Sequence, residues 1–167
     1  MQVRPAIVSD ARAIETIRVH GWRAAYRHVF PPHELDALPV DETRWRRRLE
    51  EPPPGWSVLV ADRDGTVIGF AATGPSRDER GVGELYAIYV EPDQWSQGAG
   101  RALIAQAEQA LGTRYARATL WVLEENSRAR SFYERSGWSL DGTRKAEEWW
   151  GVQAVEVRYC KVLVPPR

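Results

Sequence analysis

The run GVGELYAIYVEPDQWSQGAGRALI, which ends at Ile104, constrains this chain more than any other stretch. Its first part, Gly83 to Val90, is apolar, aromatic and β-branched, the composition of a largely buried strand. Pro92 ends that strand because it has no N–H to give to a ladder. Gly98-Ala99-Gly100 then opens a run in which Ala99, Leu103, Ala107, Ala110 and Leu111 share one helix face. A strand that turns through glycines into a helix leaves backbone N–H groups free at the positive end of the helix dipole, and such an end holds phosphate. Periodicity by itself gives an α/β or α+β class.

Three kinds of phosphate site share this outline. A Walker A loop needs Gly-Lys-Ser/Thr, and this turn ends Gly100-Arg101-Ala102. A dinucleotide fingerprint needs a third glycine where Leu103 stands. The third is a cradle for the pyrophosphate of coenzyme A. The run Val90-x-Pro92-x-x-Trp95-x-x-Gly98-x-Gly100-Arg101-x-Leu103 resembles the acyl-CoA-binding motif of the GCN5-related N-acetyltransferase (GNAT) superfamily. Trp95 stands where that family usually has Gln or Arg; backbone amides do most of the binding there.

A second motif follows in family order. Thr119 to Glu124 is another strand, and Asn126 is a good N-cap for a helix with Ala129, Phe132 and Tyr133 on one face. Gly137 and Trp138 close that helix in the manner of a left-handed C′ residue and its hydrophobic contact. Asn126-x-x-Ala129-x-x-Phe132-Tyr133-x-x-x-Gly137-Trp138 resembles the second GNAT motif. The resemblance implies that Tyr133 stands near the thioester sulfur and that Asn126 touches the pantetheine arm. It implies that acetyl-CoA is held by Ile88, Tyr89, Val90, Trp95, Ser96, Gln97, Gly98, Ala99, Gly100, Arg101, Asn126, Arg128, Ala129 and Tyr133. Read from the residues alone, Tyr133 is equally a core aromatic with a satisfied hydroxyl, and Arg101 a solvated arginine in a first helical turn.

Lys plus Arg total 23 and Asp plus Glu total 23. That balance argues against a dedicated nucleic-acid binder. A single cysteine permits no internal disulfide and fits a reducing cytoplasm; Cys160 reads as a small buried hydrophobe. No apolar run reaches membrane-spanning length, and no signal-peptide core opens the chain. His20, His28 and His33 lack metal-ligand spacing, so no metal is expected.

Length favours one domain over 1–167. Residues 2–8 read as a strand, with Ser9 capping a helix that carries Ile14, Ile17, Gly21 and Ala25 on one face. An irregular segment broken by Pro31-Pro32 and Pro39 follows, then a short helix from Asp41 to Glu50. Residues 56–62 and 66–73 are strands joined by the Asp64-Gly65 turn. Residues 138–144 and 152–163 read as a final antiparallel pair joined through 145–151. The order β-α-α-β-β-β-α-β-α-β-β resembles the GNAT fold over essentially the whole chain. It implies a mixed sheet splayed between the fourth and fifth strands, an acyl-CoA core over about 82–138 and an acceptor-lining segment over about 20–51.

If acetyl-CoA is the donor, an amine attacks the thioester carbonyl and the thiolate leaves. The amine must first lose a proton from an ammonium of pKa about 10, and Glu84 is the candidate base, since some GNAT members place a glutamate on this strand. The residues also allow a half-solvated strand-start carboxylate there. Simple alternation puts Glu84 on the face of Tyr86, Ile88 and Val90 unless a bulge shifts the phase. Tyr133 would protonate the leaving thiolate. Trp22 and Tyr26, with Arg23 and Arg27, fall in the acceptor-lining segment, and Trp149 and Trp150, with Glu147 and Glu148, in the last hairpin. An aromatic wall with acids suits a cationic amine; core packing is the alternative. Arg44, Arg46, Arg47 and Arg48 beside Trp45 read as a solvated helix face, or as a contact for the CoA 3′-phosphate or an acidic partner. The expectation is an N-acetyltransferase acting on the primary amine of a small molecule, with room for a homodimer. A protein N-terminus or lysine as acceptor is one alternative. A non-catalytic acyl-CoA sensor is another.

Overall fold

A computed structural model describes residues 1–164. Seven strands form one sheet in the order β1-β2-β3-β4-β5-β7-β6. They are β1 (Gln2–Pro5), β2 (Ser57–Arg63), β3 (Thr66–Pro75), β4 (Gly83–Val90), β5 (Arg117–Leu123), β6 (Ser139–Trp149) and β7 (Val152–Val162). The helices are α1 (Ala11–Ala25), α2 (Pro32–Asp36), α3 (Thr43–Glu50), α4 (Ala99–Gly112) and α5 (Ser127–Arg135).

The first four strands in the order pair antiparallel, as do β5, β7 and β6. The two halves meet only where β4 and β5 run parallel, through Gly83↔Ala118 and Glu84↔Thr119. Beyond Glu84 the two strands separate, and the sheet is splayed between the fourth and fifth strands.

Alternation in β2 and β3 assigns the two faces. Ala61 and Ala71 join Leu103, Ala107 and Leu111 of α4 in one core, while Val60 and Phe70 join Ile14 and Ile17 of α1 and Trp45 of α3 in another. Gly21 is what lets α1 lie close to β4. A Cβ there would stand 2.7 Å from Tyr89 Cδ1, closer than any real carbon contact. A third cluster gathers Tyr26, Phe30 and Leu35 with Leu123 and Ala154, against Trp22 and Trp149.

β4 carries a bulge. Ala87 faces Ala72 and Leu85 faces Thr73, so Tyr86 has no partner on β3. Simple alternation fails here. Leu85, Ile88 and Val90 pack with α4, whereas Tyr86, Ala87 and Tyr89 pack on the α1–α3 side.

Several boundaries differ from the sequence reading. β1 stops at Pro5, and Ser9 does not cap α1: a 3-10 turn over Val8–Asp10 precedes the helix. Asp10 anchors that turn, accepting from the Ile7 N–H at 2.9 Å and pairing with Arg4 at 2.8 Å. α3 starts at Thr43, whose N–H donates to the Asp41 side chain at 3.0 Å. The Pro-broken segment contains α2, with Pro32 at its first position, where a missing N–H costs nothing. β6 runs on to Trp149, so residues 145–149 are strand and the turn is Trp150-Gly151 alone, both at positive φ (52° and 75°).

Candidate active site

The anion cradle is built as the glycines dictate. Gly98 sits at φ 94° as the N-cap of α4, a conformation that side-chain-bearing residues rarely adopt. The first helical bond there runs from the Ala102 N–H to the Gly98 carbonyl at 3.0 Å. The amides of Ala99, Gly100 and Arg101 therefore precede the ladder and stay open. Trp95 is fixed beside them: its indole N–H donates to the Val90 carbonyl at 2.8 Å, and the Arg128 guanidinium lies 4.0 Å over its ring. Arg101, Arg128 and Arg135 line the same opening.

From this mouth one cleft of about 1250 Å³ runs through the splay to the α1–α3 side. Ile88, Tyr89 and Val90 line it, on a strand edge that β5 has left. Asn126, Ala129 and Tyr133 line it from α5. Asn126 caps α5 by accepting from the Ala129 N–H at 3.1 Å. α5 closes with the Trp138 N–H on the Tyr133 carbonyl at 3.0 Å and Trp138 buried. This frame holds Tyr133, which is 8% exposed. Its hydroxyl makes no hydrogen bond to protein among the described residues, and burial, with Tyr89 nearby, pushes its phenol well above the usual tyrosine range.

Of the expected cradle residues, Trp95, Ser96, Gly98, Gly100 and Arg101 line the cleft, while Gln97 and Ala99 do not. The Gln97 amide donates to the Asp93 carbonyl at 3.0 Å, and its oxygen accepts from Arg63 at 3.2 Å. The Ala99 methyl is buried in the α4 core, which leaves only its main-chain N–H for a ligand.

At the far end, Trp22 meets Tyr26 edge-on at 5.0 Å and Trp149 at 5.2 Å, and its indole N–H donates to the Tyr89 hydroxyl at 2.9 Å. Trp22, Tyr26 and Trp149 line the cleft. Trp150 does not; it borders a separate side hollow of about 400 Å³. Burial raises the phenols of Tyr26 and Tyr89 as well.

Glu84 is displaced from its expected role. It has no exposed surface. One oxygen accepts from Arg77 Nε at 3.0 Å and Nη2 at 2.5 Å, and the other accepts from the Arg77 main-chain N–H at 2.9 Å. It lies where β4 is still paired to β5, before the splay, and borders no part of the cleft. A carboxylate so sealed cannot reach an acceptor amine.

The carboxylates that do line the acceptor end are Glu147 and Glu156, with Lys145 at 3.8 Å and 3.1 Å from them. Sequence reading missed Glu156, because β7 carries no motif. It also missed Arg77, Trp56 and Tyr86, which line the cleft, Tyr86 from the bulge. Alternation broken by a polar-tipped aromatic is the only trace of that bulge in the sequence.

Open helix-terminal amides, a cationic mouth and a cleft through a parted sheet define an enzyme that takes a phosphate-bearing arm on one face and its second substrate on the other. The chain belongs to the acetyltransferase (GNAT) family, whose model matches residues 18–138. It is an acetyl-CoA-dependent N-acetyltransferase. It is 38% identical over 130 residues to the uncharacterized N-acetyltransferase YuaI of Bacillus subtilis, covering 74% of this chain and 72% of that one. It is 34% identical over 122 residues to a mycothiol acetyltransferase of Beutenbergia cavernae, covering 72% of this chain and 41% of the longer relative. Its fold matches yncA of Salmonella typhimurium, a putative acetyltransferase solved with acetyl-CoA, at a TM-score of 0.79 and 20% identity, over 100% of this chain and 96% of that one. Among the described residues no helix is long and apolar enough to cross a membrane, and no cluster of three His, Cys, Asp or Glu is placed to hold a metal.

Proposed function

We propose that this enzyme acetylates the primary amine of a small molecule. One observation carries the reading: the cleft ends on the α1–α3 side in an aromatic pocket, closed where Trp22 of α1 meets Trp149 of β6. That closure suits a compact acceptor, and the carboxylates of Glu147 and Glu156 on the same cleft suit an ammonium.

Acetyl-CoA supplies the acetyl group on a thioester. The amides of Ala99, Gly100 and Arg101 bind its diphosphate, with Arg101, Arg128 and Arg135 adding charge. The unpaired edge of β4 from Ile88 to Val90 presents main-chain donors toward the reacting carbonyl, where each is worth about 3 kcal/mol. Tyr133 keeps its proton at every working pH because burial disfavours the phenolate, and it gives that proton to the departing sulfur. Glu156, half-buried on the cleft, replaces Glu84 as the group that takes the ammonium proton, directly or through water. Trp22, Tyr26 and Trp149 hold the acceptor's carbon skeleton.

The test is thiol release from acetyl-CoA against a panel of small amines and of peptides with free N-termini or lysines. The expected result is turnover with small amines. Turnover with peptides alone overturns the small-molecule reading. Acetyl-CoA binding without turnover of any amine makes the chain a sensor instead.

A further inference from the structure

α3 carries four arginines in five positions, and they divide by the face they occupy. Arg46, which does not line the cleft, pairs with Glu42 at 2.7 Å. Arg44 and Arg48, one turn apart, line the cleft, and among the described residues neither has a carboxylate within 4.0 Å. A helix face meant only for solvent gains from interspersed charges, as Arg46 and Glu42 show. Of the three without such a partner among the described residues, Arg47 stays off the cleft, while Arg44 and Arg48 are turned to it.

Aromatic rings hold them there. Arg48 lies 4.6 Å over the Trp56 ring, Trp56 stacks on Tyr86 at 4.3 Å, and Arg77 lies 5.4 Å over Tyr86 from the other side. Arg44 lies 5.6 Å over the buried Trp45. The β4 bulge makes this ladder by pushing Tyr86 out of register. A guanidinium laid flat on a ring keeps its N–H fork free at the edge, the arrangement that grips a carboxylate or phosphate oxygen pair. Burial, together with Arg44, Arg47 and Arg77, lowers the Arg48 pKa, a strain that an anion would relieve.

These cations are distinct from those at the cofactor mouth. Arg101, Arg128 and Arg135 belong to α4 and α5, while α3 packs with α1 against the opposite face of the sheet. The same cleft is thus lined by guanidinium groups of α3 with no carboxylate partner among the described residues and by Glu147 of β6 and Glu156 of β7, both of which Lys145 pairs.

We propose that the acceptor is zwitterionic, a small amine bearing its own carboxylate or phosphate-type anion, and that Arg44 and Arg48 bind that anion. The inference rests on the small-molecule reading above. It excludes a polyamine, whose extra positive charge would meet the guanidinium groups.

The experiment uses the full chain with acetyl-CoA. The twenty amino acids are compared with their α-amides, their decarboxylated amines, the matching aminoalkyl phosphonates and short peptides beginning with the same residues. Wild type, Arg44→Gln and the double variant Arg44→Gln/Arg48→Gln are assayed for turnover and, by calorimetry on CoA-saturated protein, for acceptor affinity. At least one amino acid or aminoalkyl phosphonate should exceed its counterparts that lack the anion by about 10- to 100-fold in kcat/KM, the scale of a charge-assisted contact. The phosphonate arm separates phosphate-type from carboxylate acceptors. The double variant should reduce that preference to about threefold or less, the single variant should fall between, and acetyl-CoA affinity should hold. The same ranking in calorimetry without turnover keeps the anion site and removes the enzymatic reading. Preference for amines that lack an anion, for peptides or for polyamines overturns the proposal, as does a preference that survives the double variant. Weakened acetyl-CoA binding in that variant also overturns it, because the arginines would then serve the cofactor's phosphates.

Discussion

Replacing Arg77 with alanine removes the guanidinium that engages one oxygen of Glu84 through both Nε and Nη2. The carboxylate keeps a single bond, from the main-chain N–H of position 77 at 2.9 Å, and it has no exposed surface. Stranding one partner of a buried pair costs about 3–5 kcal/mol. The surviving amide bond, and water reaching in where a side chain 60% exposed has gone, place this case near the lower bound, at about 3 kcal/mol. For a chain of this length that lowers Tm by about 6–12 °C. Glu84→Gln acts from the other side. Arg77 swings into water at little cost, so the loss is about 1–2 kcal/mol, chiefly from an amide N–H₂ with no partner. The double variant should be less destabilised than the sum of the two, because both remove one interaction. Turnover separates a positioning role for Glu84 from proton transfer. Acting only through Arg77 and the Tyr86 ladder, each single variant should lower kcat/KM by about tenfold or less, a loss of ~1.4 kcal/mol. Loss of a general base costs about 10²- to 10⁴-fold. Thermal melts and thiol-release kinetics on the three variants suffice. A folded Glu84→Gln protein whose kcat falls more than about hundredfold, beside an active Arg77→Ala, would return Glu84 to the mechanism and refute this account.

Tyr133→Phe should lower kcat by about 10²-fold or more while leaving acetyl-CoA affinity within about twofold, since among the described residues the hydroxyl makes no hydrogen bond to protein whose loss would disturb the site; equal rates would take Tyr133 out of the chemistry. Gly100→Val should weaken acetyl-CoA binding by about tenfold or more in a protein that still folds. A Cβ there meets Phe132 at an ordinary 3.4 Å, but the branched side chain fills the approach to the open amides, and unchanged affinity in calorimetry would contradict the cradle. Stability should fall as pH rises above about 10. The unfolded chain ionises its tyrosines there, whereas Tyr86, pushed up to about 12 by burial and Glu84, and Tyr26, Tyr89 and Tyr133 all hold their protons when folded. Below that pH these groups leave stability flat, and urea midpoints from pH 9 to 11.5 would show the fall. Gly21→Ala should destabilise by about 1 kcal/mol, the cost of overpacking against Tyr89 less the helix propensity gained, and a stabilised variant would mean that α1 is free to shift.

Local rules made much of the fold legible. The Asp64-Gly65 turn, the Asn126 cap, the α4 entry at Gly98 and the stop at Pro92 each follow from one or two residues whose backbone preferences act over a single turn. The last hairpin resisted because its turn uses Trp150 at φ 52°, a residue with no turn preference of its own. The pairing of β6 with β7 over Arg144–Trp149 holds it there. Ser9 yielded to Asp10 because Asp10 both accepts from the Ile7 N–H and pairs with Arg4, six residues back and brought beside it by the turn after β1.

The site was harder to read for one physical reason. Residues that act through the main chain announce themselves by glycine and proline, so the Gly98 turn into α4 was legible. The acceptor half is made by side chains from α1, α3, β4, β6 and β7, and their convergence depends on where β4 breaks its alternation. Without a bulge, Glu84 would share a face with Ile88 and Val90, which line the cleft. With the bulge at Tyr86, Glu84 lies on the face opposite Leu85, Ile88 and Val90, where β4 is still paired to β5, and binds Arg77, while Tyr86 stacks on Trp56 with Arg77 over its ring. One unpaired residue on β4 thus separates the face of Glu84 from that of Ile88 and Val90 and leaves Tyr86 beside Trp56 and Arg77.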